Sequence, residues 1–175
     1  LLGAIFLTNA ILAEIIGVKI FSGERTLGFE PVQWTFFGEF VLDFNLTAGT
    51  FLNNRQVFFQ DYKHFGGNRT LFSSMGAASN YRVMDYYQYS TSGSYISSIV
   101  HYQFRKFIFT QLPMLRFSGV RENIFVNYLK TQNSPHYMEI GYSLDNLFRI
   151  FRVELAAGFE NGQFLRARPL VGVAT

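Results

Sequence analysis

The strongest constraint on this chain is a two-residue alternation of oily and polar side chains in its second half. In residues 137–146, apolar side chains occupy every second position and polar or small ones lie between them. The same alternation returns in residues 151–160, which end at the turn sequence Glu160-Asn161-Gly162-Gln163. Successive side chains of a strand point to opposite faces, whereas a helix repeats every 3.6 residues. Both segments are therefore predicted to be strands, with a hairpin after the second.

Further alternating segments occupy residues 95–109, 116–130 and 164–175, and shorter strand-like ones occupy 57–62 and 81–89. Long strands with one oily and one polar face are typical of a transmembrane barrel, whose outside meets lipid and whose inside is polar. A soluble antiparallel sandwich produces the same alternation with the meaning of the faces reversed. The strand lengths and the 21 Phe and 10 Tyr among 175 residues favour the barrel.

Composition limits the function classes. Only 15% of the residues are charged, against about 25% in a soluble domain, which predicts membrane lipid as a partner. The net charge is +3, but the basic residues are scattered singly, so a nucleic-acid role has little support. The chain has no cysteine and lacks a phosphate loop, a Gly-x-Ser-x-Gly motif and a His-Glu-x-x-His motif. We predict no enzymatic activity, cofactor or metal, and interpret the separated His64, His101 and His136 as wall or turn residues.

The first part of the chain differs. Residues 1–21 form an apolar run about as long as a bilayer-spanning helix, and residues 32–52 form a second. We therefore expect one or two apolar helical segments in residues 1–49, before a barrel-like region in residues 50–175. Polar residues within these runs could line a substrate path between helices. We favour the alternative that Lys19 reaches the interface and pairs with Glu14, and that Glu39 and Asp43 lie near a span end or in no membrane. The polar residues of the two runs are Asn9, Glu14, Lys19, Glu39 and Asp43.

Part of this region resembles a transporter family. Leu7-Thr8-Asn9-Ala10, residues 13–21 and residues 44–49 are similar to the first two helices of vitamin-uptake-like transporters that import queuosine precursors across the inner membrane. The resemblance implies that Asn9, Glu14, Lys19 and Gly49 occupy positions of that family's opening motif. The family would continue through several more helices, which the sequence after Gly49 does not provide.

The remainder resembles a different family. Phe65-Gly66-Gly67-Asn68-Arg69-Thr70, residues 85–91, residues 95–109, residues 112–116 and residues 151–155 are similar to the C-terminal part of a Gram-negative outer-membrane barrel family without an assigned activity. Full-length members carry a carboxypeptidase-regulatory-like domain before the barrel. The resemblance implies an outer-membrane location for residues 50–175. Because both resemblances break near residues 49–51, we expect a composite junction there.

Within the barrel interpretation, parity predicts which side chains face the lumen. The candidates are Gln103, Arg105, Arg121, Asn123, Glu139, Arg152, Glu154, Arg166 and Arg168. Their excess of arginine would suit anions, but we favour the alternative that these charges pair across strands and fill a narrow polar interior. Glu122 breaks the oily parity, and we expect it to face lipid near a strand end. If the last strand runs toward the periplasm, the turns at 90–94, 131–135 and 160–163 face outside.

The strand count bears on closure. Residues 50–175 offer six or seven strands, whereas a closed single-chain barrel takes at least about eight. We therefore expect a piece of a barrel, or one shared with other barrel-forming chains. The predicted function is a structural, assembly or passive-permeation role in the outer membrane. The alternatives are a fragment of the inner-membrane transporter and a soluble β-rich binding module. The sequence specifies no ligand and no pore selectivity.

Overall fold

A computed structural model describes residues 16–21, 24–36, 40–51, 57–73, 80–104, 108–111 and 119–173. Over these residues the fold is one nine-stranded sheet in the order β1-β2-β3-β5-β6-β7-β8-β9-β4. The strands are β1 (Ile16–Phe21), β2 (Glu24–Phe36), β3 (Phe40–Phe51), β4 (Phe72–Ser73), β5 (Tyr95–Phe104), β6 (Arg121–Thr131), β7 (Tyr137–Leu147), β8 (Phe151–Glu160) and β9 (Gln163–Val173). Two short 3-10 turns, Phe59–Asp61 and Phe109–Gln111, lie between strands. The β-rich fold class predicted from the alternation is confirmed.

The eight long strands form an antiparallel meander. Each pairs with the next long strand along the chain, and only the two-residue β4 pairs in parallel, with β9. The predicted hairpin between β8 and β9 is confirmed. Its two central residues, Asn161 and Gly162, have φ values of 48° and 80°, as expected for the tight hairpin turns whose backbone twist matches that of the strands.

The helix predicted in residues 32–52 is wrong, because residues 40–51 form β3 and residues 32–36 belong to β2. The run is oily on average, but polar side chains return at every second position from Asp43 through Asn45 to Thr47. That period suits a strand and would scatter the polar groups around a helix. Residues 16–21, at the end of the first apolar run, form β1. Among the described residues, no helix is long and apolar enough to cross a membrane.

The composite junction expected near residues 49–51 stays a prediction, although strands from both sides of it belong to one sheet. β3 pairs with β5 along its length, from Phe40 opposite Phe104 to Gly49 opposite Tyr95. The predicted strands at 57–62 and 81–89 are wrong, since both segments lie in the connection between β3 and β5, which also carries β4. The sheet contains β1 to β3 in place of these two predicted strands.

The two faces of the sheet are unlike each other. The buried apolar side chains lie between one face of β5 to β9 and the β3–β5 connection, in two clusters. The first holds Phe65, Tyr81, Met84, Tyr89, Tyr95, Leu129 and Tyr137, and the second holds Val83, Phe125, Ala156 and Leu170. The opposite face is mostly apolar, and Ile96, Ile140, Phe151, Val153, Leu155, Val171 and Val173 are exposed on it. The described residues of the connection therefore pack on the first face.

Gly141 on β7 provides a test of this packing. A Cβ atom there would overlap the ring of Phe125 on the neighbouring strand β6, which is buried beneath the connection. We expect Gly141→Ala to lower the free energy of unfolding by about 1–3 kcal/mol, the usual cost of overpacking a filled core. Equilibrium urea unfolding followed by circular dichroism measures the change. Ile140→Val on the exposed face of the same strand is the control, and equal stability of the two variants would contradict the packing.

Candidate functional site

The covered face of the sheet carries polar and charged side chains that are almost completely buried. They are Ser97, His101, Asn123, Asn127, Thr131, Glu139, Ser143, Asp145, Arg152 and Glu154. A buried charge is costly unless it is paired or hydrogen-bonded. The arrangement of their partners therefore determines what this face can do.

The carboxylate of Glu139 on β7 is the most densely bonded of these groups and is fully buried. Its Oε1 accepts hydrogen bonds from the backbone N–H groups of Val83 and Met84, at 2.8 and 2.9 Å, and from the Tyr137 hydroxyl at 2.6 Å. Its Oε2 accepts from the backbone N–H of Arg82 at 2.7 Å and from Asn127 at 3.2 Å. Successive N–H groups that converge in this way form an anion-binding nest. One side chain of the sheet thus fixes three consecutive residues of the connection.

A chain of ion pairs continues from the nest. The Nε of Arg82 lies 3.2 Å from Glu154 Oε2, and the Nε of Arg152 lies 3.6 Å from Glu154 Oε1. Arg152 also makes a bidentate pair with Asp145, at 2.7 and 2.8 Å. The guanidinium of Arg82 lies 4.9 Å from the centroid of the Phe125 ring, within cation–π range. These two arginines and two carboxylates balance one another in charge.

A second group of charges approaches the connection from β9. Asp85 lies 3.0 Å from Nη2 of Arg166 and 3.7 Å from Nη2 of Arg168. The same arginines donate to backbone carbonyls of the connection, Arg166 to Val83 at 2.6 Å and Arg168 to Asn68. The connection is therefore held by β9 as well as by β7 and β8.

Tyrosine hydroxyls complete the polar contacts of the connection. The Tyr81 hydroxyl lies 2.8 Å from Ser97 Oγ on β5 and donates to the Tyr128 carbonyl on β6 at 2.9 Å. The Tyr89 hydroxyl donates to the carboxylate of Glu160 at the end of β8. Burial raises the pKa of Tyr89 well above its ordinary value, and the bond to Glu160 adds to the shift. This hydroxyl therefore stays protonated and remains a donor at physiological pH.

The predicted lumen-facing residues fall in four groups. Asn123, Glu139, Arg152 and Glu154 are buried on the covered face, and Gln103, Arg166 and Arg168 are partly buried. Arg121, the first residue of β6, is exposed, and Arg105 lies outside the described residues. That this face lines a lumen stays a prediction.

The predicted polar residues of the apolar runs are not brought together in the described part of the chain. Asn9, Glu14 and Glu39 lie outside it, and Lys19 belongs to β1. Asp43 lies on β3, where its Oδ2 is 3.5 Å from Nδ1 of the buried His101 on β5. Asp43 therefore contacts a residue of the barrel-like region.

Several residues of the site were missed or misplaced by the sequence interpretation. Glu122 is not exposed on the oily face. It is buried and accepts hydrogen bonds at 2.8 Å from the Ile108 N–H and from the Tyr142 hydroxyl. Asp145 shares the parity of Glu139 and could have been found from the alternation. Arg82 and Asp85 carry no such signal, because they lie outside the sheet.

Two open cavities lie around the connection. One of about 470 Å³ is lined by side chains of residues 64–72 and 80–87, and one of about 320 Å³ lies between residues 88–92 and the turn after β6. Within the described ranges, no three His, Asp or Glu side chains are placed to share a metal ion. The predicted absence of a metal and of a cofactor remains a prediction.

These features define a class of antiparallel sheet protein in which charged side chains are buried on one face and oily side chains are exposed on the other. The chain belongs to the family described as "Family of unknown function (DUF5686) C-terminal domain", whose model matches residues 32–144. The resemblance to a family of unknown function is therefore confirmed at that level. The match includes residues 32–49, and it gives no support to a transporter in that stretch. No curated protein and no solved structure matches the chain.

The pair of Asp145 and Arg152 can be tested directly. Asp145→Ala would leave the buried Arg152 without its bidentate partner, and we expect a loss of about 3–5 kcal/mol in the free energy of unfolding. The double variant with Arg152→Ala should lose less than the sum of the two single variants, because the two side chains are coupled. Urea unfolding measures all three. The exposed Asp61→Ala is the control, and additive losses would contradict the pairing.

Proposed function

We propose that this chain forms part of the lipid-embedded wall of an outer-membrane β-barrel, with a structural or assembly role. One observation carries the proposal, namely the inverted distribution of side chains on β8. Phe151, Val153 and Leu155 are 49%, 43% and 59% exposed, whereas the alternating Arg152 and Glu154 are 3% and 1% exposed. This is the order expected for a wall between lipid and a polar interior.

A water-soluble sheet would place these residues the other way round. Removing apolar surface from water is worth about 25 cal/mol per Å², and charged residues of soluble proteins are almost never fully buried unless paired. Here oily side chains stay exposed on β5, β7, β8 and β9, on one side of the sheet. An apolar patch of that extent indicates contact with a membrane or with another protein.

Strand dimensions support the membrane. Strands β5 to β9 have 10, 11, 11, 10 and 11 residues, and a tilted transmembrane strand needs about 9–11. In lipid every backbone N–H and C=O must be bonded within the protein, and a meander of paired strands achieves this except at its edges. Beyond the two residues bonded to β4, the outer edge of β9 has no strand partner in the described residues. We therefore include further barrel-forming strands, of this polypeptide or of other chains, among its partners.

The ionic contacts bear on the role of the barrel. Arg82 and Arg152 are paired with carboxylates, and Arg166 and Arg168 bind Asp85 and backbone carbonyls. An open anion-selective pore would need unpaired arginines along a free path. The paired interior supports a structural or assembly role more than passive permeation. The transporter alternative loses its second helix, because residues 40–51 form β3.

A substitution at Leu155, in the middle of β8, distinguishes the proposed membrane wall from a soluble binding module. In lipid, Leu155→Arg should cost about 2–4 kcal/mol, the cost measured for a basic residue near the bilayer midplane. On a face in water the change would stay within about 0.5 kcal/mol. The measurement is urea unfolding of protein folded into lipid vesicles, with heat-modifiable migration on gels as a second readout.

The control is Gln132→Arg, which adds the same charge at an exposed position in the turn after β6. We expect it to fold into vesicles as well as the unchanged protein does. If Leu155→Arg matched this control, and the protein stayed folded and monomeric in water without detergent, the soluble module would replace the membrane wall.

A further inference from the structure

We propose that residues 80–89 form an internal plug that closes the polar side of the sheet and is latched by Glu139. The position of the plug follows from packing alone. Its consequence, a closed lumen, rests on the proposed barrel function. While the plug stays seated, the predicted lumen residues that contact it, Glu139, Glu154 and Arg166, would not line an open channel.

The path of the connection is the first argument. β3 ends and β5 begins at the same end of the sheet, since Gly49 is paired with Tyr95. Hairpin loops need only roughly 2–5 residues to join such strands, and loops beyond about 12–15 residues are usually functional. This connection runs from residue 52 to residue 94 and does not stay at the strand ends. Through Arg82 it reaches Glu154 and Phe125, both near the middle of their strands.

The width of the contact is the second argument. The plug touches five consecutive strands, from Ser97 on β5 and the Tyr128 carbonyl on β6 to Glu139 on β7, Glu154 on β8 and Arg166 on β9. Val83 and Met84 at its centre have no exposed surface. The plug therefore covers the polar face across all of these strands.

The third argument is the kind of contact that holds the plug on the sheet. Strands could be covered by apolar packing alone, but here one carboxylate receives the N–H groups of three successive plug residues. Each of these bonds depends on the negative charge of Glu139 for its strength. A cavity of about 470 Å³ lies beside residues 80–82 and 86–87, next to the backbone hydrogen bonds that join the plug to Gly66 and Asn68. Other contacts hold the plug as well, but within the described residues only Glu139 binds the backbone of three consecutive plug residues, so the latch is assigned to its charge.

A disulfide tests whether the plug is seated as described. A Cβ atom added at Gly158 on β8 would lie 3.3 Å from the Cβ of Val83, close to the separation of about 3.5–4.5 Å in disulfides. The chain contains no cysteine, so a new bond has one assignment. V83C/G158C should cross-link almost completely under mild oxidation. V83C/V153C, with the second thiol on the opposite face of β8, should not, and equal cross-linking of the two pairs would overturn the plug.

Conductance tests the latch. In planar lipid bilayers, E139A in the full-length protein should raise the frequency of conducting events by about tenfold or more, the change expected when a charge-assisted contact is lost. E139Q keeps the shape of the side chain and serves if E139A does not fold. D61A, at an exposed carboxylate of the same connection, should leave conductance unchanged. Adding V83C/G158C to the Glu139 variant should silence it when oxidised and restore the events on reduction.

The outcomes separate the two proposals. Unchanged conductance in both Glu139 variants, or conductance insensitive to a disulfide that has formed, would overturn the latch. Failure of the unchanged protein to float with liposomes would instead remove the membrane wall, and the cross-link in detergent would still report on the plug.

Discussion

The buried carboxylate of Glu139 is the interaction on which the arrangement depends. It is fully buried, and its five donors come from two strands of the sheet and from three consecutive residues of the connection. Without these donors the charge could not be kept away from water, and without the charge the three N–H groups would be buried unsatisfied. The sheet and the connection therefore require each other, and the ion pairs of Arg82 and Arg152 extend the same dependence to β8.

A polar face whose buried arginines and carboxylates are paired within the protein leaves the other face free to be oily. This explains why the sheet inverts the usual order of a soluble fold, with Leu155 exposed beside a buried Glu154. The proposed membrane wall and the proposed plug follow from the two faces separately. The family itself carries no known activity, so the physical asymmetry of the sheet is the main guide to function.

Sequence patterns predicted the strands of the sheet better than the contacts that the irregular connection makes with them. The alternation along β7 and β8, and the Asn161-Gly162 turn after β8, are local signals, and the structure confirms them. The helix predicted over residues 32–52 was wrong, because the prediction followed the high average hydrophobicity of the run and not the two-residue period around Asp43. The partners of Glu139 could not be predicted, since Arg82 lies 57 positions earlier in a segment without periodicity. Contacts made by an irregular connection depend on where it folds, and alternation carries no information on that.

The most direct test of the membrane wall is the environment of the exposed face of β8. Single cysteines at Phe151, Val153 and Leu155, with one at Asn161 in the turn as reference, can carry spin labels in protein folded into lipid vesicles. The account predicts that the three strand positions collide more with oxygen, which dissolves in lipid, than with a water-soluble nickel complex, and that the turn shows the reverse. Greater collision with the nickel complex at all four positions would place this face in water and contradict the account.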